Sequence, residues 1–116
     1  MTTFGDYIRE KREAFQESDK TFSLRQVAHR LDVQPSYLSK IERNIENPSE
    51  EMILKLANVY NENEDTLLAM AGKVSSRLQK IIIKNPVAFS NLISSLEDSP
   101  EHAILRIIRE VKDGNW

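Results

Sequence analysis

The sequence predicts an all-α protein: five helices over residues 1–72, then a small helical region over residues 73–116. Three observations carry this. Apolar residues recur at 3.6-type spacing almost throughout the chain. Glycine and proline are scarce, three and four in 116 residues, so little interrupts those stripes. Where the stripes do break, a polar capping residue stands at the next start, as at Ser23, Ser49 and Asn63.

Phe4, Tyr7, Ile8, Lys11 and Phe15 mark the first helix, and the polar QESDKT that follows, residues 16–21, predicts a loop. Ser23 with Gln26 three residues on is a capping box, and Phe22 and Val27 are spaced as a hydrophobic staple, so a second helix begins there. Its inward side is Leu24, Val27, Ala28 and Leu31, and Asp32 closes it in a left-handed turn. Pro35, at a first helical position, opens a third helix only a few residues later. Asn47-Pro48-Ser49 ends that element and caps a fourth, with Ile53, Leu56, Ala57 and Tyr60 inside. Asn63 caps a fifth; Glu64 and Asp65 suit the dipole of its first turn, Leu67, Leu68 and Ala71 face inward, and Gly72 ends it.

Beyond Gly72 the stripes continue: Val74, Leu78, Ile81 and Ile82; then, after Asn85-Pro86, Phe89, Leu92, Ile93 and Leu96; then, after Ser99-Pro100-Glu101, Ile104, Ile107, Ile108 and Val111. A piece of about 40 residues cannot bury such faces by itself. They need the first domain or a second chain, and homodimerisation is the favoured reading. Trp116, the only tryptophan, is either frayed or a dimer anchor.

Composition narrows the function. A chain of 40% hydrophobic and 29% charged residues is globular in type, and no apolar run approaches the roughly 20 residues that cross a bilayer. The amino-terminal MTTFGDYIREKREAF lacks the apolar core of a signal peptide, so a cytoplasmic location is expected. With no cysteine, and with His29 and His102 far apart, neither thiol chemistry, a metal site nor a cofactor is implied. The carboxylates sit at solvated-face spacing from Lys and Arg, and no nucleophile-elbow, P-loop or dinucleotide glycine pattern appears, so no enzyme is expected.

Net charge is −2, but residues 23–45 carry Arg25, Arg30, Lys40 and Arg43 against only Asp32 and Glu42. A locally basic face on an acidic body is compatible with phosphate contact. On a helical wheel of the third helix, Leu38 and Ile41 define the inward side, while Ser36, Ser39, Lys40 and Arg43 lie opposite. Glu42 turns toward the core edge and Tyr37 sits at the boundary. The outward face is thus short, polar and cationic, with no acid at its centre. Two helices joined by a tight turn, the second with such a face, meet the physical requirement for reading a DNA major groove. Serine donates or accepts there, Lys40 reaches guanine O6 or N7, and Gln34 pairs with adenine or a phosphate.

SLRQVAHRLDVQPSYLSKIERNIENPS closely resembles the helix-turn-helix of the lambda-repressor-like (XRE) family of bacterial and phage regulators, and YLSKIERN with NPS resembles SinR-type repressors. The resemblance covers roughly residues 4–71 and rests on Ala28, Val33, Leu38 and Ile41 at the motif's small and apolar places. It implies a five-helix domain with the third helix in the major groove of double-stranded DNA. By position it places Gln34, Ser36, Tyr37 and Lys40 toward bases, and Arg25, Arg43 and Asn44 toward phosphates, with Ser39 on the same face. It also implies a structural ion pair between Arg12 and Glu42. Asp32 stands where the family usually has Gly, and Asn44 where RG is commoner than Arg43-Asn44; both substitutes tolerate positive φ. The tail resembles the helical oligomerisation tails of stress- and phage-type repressors. The function expected is a dimeric transcriptional repressor on a two-fold-related operator. The competing reading is an antitoxin-like or regulatory module that acts by gripping a protein partner with its C-terminal helices.

Overall fold

The computed structural model of the chain describes residues 2–116, and every regular element among them is helical. Two compact units form, one ending at Ser76 and the other spanning Arg77–Trp116. The first contains α1 (Phe4–Gln16), α2 (Leu24–Arg30), α3 (Pro35–Glu42), α4 (Glu50–Tyr60) and α5 (Glu64–Met70). Then come α6 (Ser76–Lys84), α7 (Pro86–Ser95) and α8 (Glu101–Asp113).

The starts of α2, α4 and α5 are each closed by a side chain. Ser23 accepts from Gln26 N–H at 3.2 Å, Ser49 from Met52 N–H at 3.2 Å and Asn63 from Thr66 N–H at 2.9 Å. The box expected at Ser23 is used from one side only. The Ser23 N–H donates instead to Lys20 C=O at 3.3 Å, closing a 3₁₀ turn at Lys20–Phe22. The segment expected as a loop is therefore partly ordered. Asp19 organises it by accepting from Thr21 Oγ1 at 2.6 Å and Thr21 N–H at 2.9 Å, bonds that hold its carboxyl below the ordinary pKa.

Among the described residues, four have positive φ, and each lies just past a helix: Asp32 (58°), Asn44 (62°), Asn61 (53°) and Gly72 (77°). After α2, Val33 N–H donates to Ala28 C=O at 3.0 Å and Asp32 N–H to His29 C=O at 3.0 Å, the paired bonds of a Schellman turn. After α3, Ile45 N–H reaches Lys40 C=O at 2.9 Å and Asn44 N–H reaches Ile41 C=O at 3.1 Å. Asp and Asn serve here because their short polar side chains make the left-handed region cheaper than it is for other L-residues.

All five helices of the first unit feed one core. Ile8, Val27, Ala28, Leu38, Ile53, Leu56, Leu67 and Leu68 are fully buried, each of the larger ones contributing about 1.5–3 kcal/mol. Phe22 stacks on Phe15 with ring centroids 4.7 Å apart. Under this layer lies the ion pair that ties α1 to α3: Arg12 Nε donates to Glu42 Oε2 at 2.8 Å and Nη2 to Oε1 at 3.1 Å. Nη1 donates to Gln16 Oε1 at 3.2 Å and Phe22 C=O at 3.4 Å. The hydrogen bond to Glu42 outweighs burial and raises the guanidinium pKa.

Tyr60 is 2% exposed, and its hydroxyl is buried without a hydrogen-bond partner among the described residues. Burial, then the Glu42 charge, push its pKa far above the phenol range. An unsatisfied hydroxyl opposes folding, so Tyr60→Phe is expected to leave stability unchanged or raise it by up to about 1 kcal/mol. Urea denaturation measures this, and a clear loss would mean that the hydroxyl is hydrogen-bonded in solution.

The first unit extends beyond Gly72. Ser75 Oγ donates to Asp65 Oδ1 at 2.6 Å, and Ser76 donates to Glu50 through its N–H and its hydroxyl, both at 3.0 Å. In the second unit no residue is buried. Leu78, Ile82, Phe89, Leu96, Ile104 and Ile107 are half-buried, whereas Ile83, Val87, Ile93, Ile108 and Val111 are exposed. Asn85 and Pro100 occupy the cap positions of α7 and α8 without a side-chain cap bond. The Trp116 indole donates to Val111 C=O at 3.1 Å yet stays largely exposed.

Candidate nucleic-acid interface

The turn after α2 is short because the Schellman bonds close at Val33 and Gln34 already caps α3 in extended backbone, with Pro35 at the first helical position. α3 then packs against both α1 and α2 through Leu38 and Ile41. Its remaining circumference faces outward: Ser36 and Lys40 are exposed, and Ser39 and Tyr37 are half-buried at the edges.

The acid of this helix is removed from that face. Glu42 is buried and paired with Arg12, so no carboxylate of α3 opposes a phosphate or a base edge. The cations are fewer than the sequence count suggests. Arg30 is occupied within the domain, donating to Thr21 C=O and to Thr21 Oγ1 at 2.6 Å, with its guanidinium 4.3 Å from the Phe22 ring centroid. That leaves Arg25 on α2 with Lys40 and Arg43 on and after α3.

Arg43 lies along its own helix: Nε donates to Ser39 Oγ at 3.2 Å and Ser39 C=O at 3.3 Å. Ser39 therefore orients a guanidinium. Asn44 is also engaged, through Gly5 N–H at 2.9 Å and Thr3 Oγ1 at 2.8 Å. Arg25, Gln34 and Tyr37 come together in a shallow groove beside the turn, with His29, Asp32 and Met52. Met52 comes from α4, and nothing in its local sequence signals that placement; only the tertiary packing of α4 against the turn brings it there.

Two short helices, a tight turn, and an acid-free polar face on the second are the geometry of a helix-turn-helix. A helix-turn-helix family model matches residues 8–67, more than half of the chain. The chain belongs to the lambda-repressor-like (XRE) helix-turn-helix family. It is accordingly a DNA-binding transcriptional regulator of the XRE type. No match was found among curated proteins or among solved structures. Among the described residues, no helix is long and apolar enough to cross a membrane.

Proposed function

We propose that the protein is a cytoplasmic repressor that binds a two-fold-related operator as a homodimer, with α3 of each copy in a major groove. The single observation that carries the reading is the α3 face, exposed at Ser36 and Lys40 and stripped of its only acid by Arg12. Gln34, Ser36, Tyr37 and Lys40 are assigned to base edges, and Arg25 and Arg43 to phosphates. The unit ending at Ser76 is the DNA-binding part and Arg77–Trp116 the dimerisation part. Occupancy alone represses by occlusion, and two α3 helices about 34 Å apart fit half-sites one turn apart.

The test is fluorescence anisotropy with a duplex selected for binding and with random duplex. Lys40→Ala should cost about 1–3 kcal/mol on the selected duplex and relax preference at one base pair. Arg43→Ala should weaken both duplexes alike and lower the salt slope by about one. Equal effects of the two substitutions on both duplexes would refute this division. The exposed apolar residues of the second unit favour a second reading, a regulatory protein partner on the tail. That reading stands alone only if neither duplex is preferred.

A further inference from the structure

The first turn of α1 lies directly on the end of α3. Gly5 is buried, and a Cβ there would come within 2.5 Å of Ile41 C=O, 2.6 Å of Asn44 Oδ1 and 2.7 Å of Glu42 C=O. Two of these atoms are backbone and cannot swing away, so only glycine lets the two helix ends meet. Asn44 fastens the contact. Its Oδ1 accepts from Gly5 N–H at 2.9 Å, and its Nδ2 donates to Thr3 Oγ1 at 2.8 Å. The same Thr3 hydroxyl accepts from Asp6 N–H at 3.2 Å as the cap of α1. The cap of one helix and the left-handed residue ending the other are thus one hydrogen-bonded group.

We infer that Asn44 is a positioning residue: with Thr3 and Gly5 it clamps the C-terminal end of α3 onto α1 and sets the angle at which Ser36 and Lys40 meet DNA. The inference rests on α3 being the groove helix. It replaces a phosphate contact for Asn44, because both ends of its amide are engaged inside the domain. A recognition face held loosely by even an ångström loses bidentate contacts, while phosphate attraction, which is less directional, survives.

Anisotropy of the full chain tests it. Asn44→Gly keeps the left-handed backbone and removes both bonds, Thr3→Val removes the hydroxyl at constant shape, and Thr3→Ser restores it. Each of the first two should weaken selected-duplex binding by about tenfold, the worth of roughly one hydrogen bond. Random-duplex binding should change by less than about twofold, since the phosphate contacts remain. The double variant should lose little beyond the worse single, because both break one unit. Thr3→Ser should bind as the unaltered chain does.

If Asn44→Gly melts below the assay temperature, Thr3→Val, with Thr3→Ser as its rescue, carries the test: it removes the acceptor for Asn44 Nδ2 and leaves the bond from Gly5 N–H in place. An Asn44 variant that weakens both duplexes equally and adds to Thr3→Val would overturn the clamp in favour of a direct contact. Unchanged selected-duplex affinity in both single variants would overturn it as well. Failure of the groove-helix reading shows separately, as a Lys40→Ala variant with undiminished selected-duplex affinity.

Discussion

Glu42→Ala is expected to lower the folding free energy by about 3–5 kcal/mol, a large part of what a domain this small holds in reserve. The carboxylate accepts two bonds from Arg12, and both partners are almost fully buried, at 4% and 8% exposure. Without it a guanidinium stays in the core with only Gln16 Oε1 and Phe22 C=O to solvate it. Most of the loss is the cost of that orphaned charge, not the net worth of the pair. Arg12→Met combined with Glu42→Leu should therefore cost far less than either change alone. Urea midpoints of the four proteins give the cycle. A single-variant loss below about 1 kcal/mol would show that water reaches the site and solvates the remaining charge. The pair has a second consequence: Arg12→Met alone leaves a carboxylate at the end of α3, so it should weaken DNA binding beyond its effect on folding.

The local chemistry of the first unit is legible because each device uses neighbours in sequence. Ser49 and Asn63 cap where a short polar residue precedes an apolar stripe, and Ile53, Leu56, Ala57 and Tyr60 are buried as their spacing requires. Asp32 and Asn44 adopt the left-handed backbone that their side chains tolerate. The Arg12–Glu42 pair, by contrast, spans 30 residues and was visible only through the family resemblance. What sequence reasoning missed is tertiary competition for side chains. The sequence counts Arg30 with the basic face and the resemblance places Asn44 toward phosphates, whereas the fold spends Arg30 on Thr21 and Phe22 and Asn44 on Gly5 and Thr3. Gln26 misses its half of the capping box for the same reason, since the 3₁₀ turn claims the Ser23 N–H first. Nothing in the local sequence marks Gly5; its need for a missing Cβ appears only once α3 lies against it.

In the proposed homodimer, Ile108→Asp with Val111→Asp is expected to separate the two copies and to weaken binding to a two-half-site duplex by about 10²–10⁴-fold, the effective-concentration gain that linkage supplies. Ile108 and Val111 are 44% and 59% exposed on α8, one turn apart on the apolar stripe. An aspartate at either place meets water in the monomer and costs it little, but it puts an unpaired charge into any interface that covers the stripe. The tail offers no electrostatic reason to stay apart, since residues 77–116 carry six Lys and Arg against five Asp and Glu. Sedimentation velocity reads the oligomeric state, and anisotropy on single and paired half-sites reads the function. Single half-site affinity should be unchanged, because α3 is untouched. A variant that remains dimeric would move the interface off α8. A monomeric variant with intact paired-site affinity would mean that the two DNA-binding parts act independently, and the two-fold operator reading would fall with it.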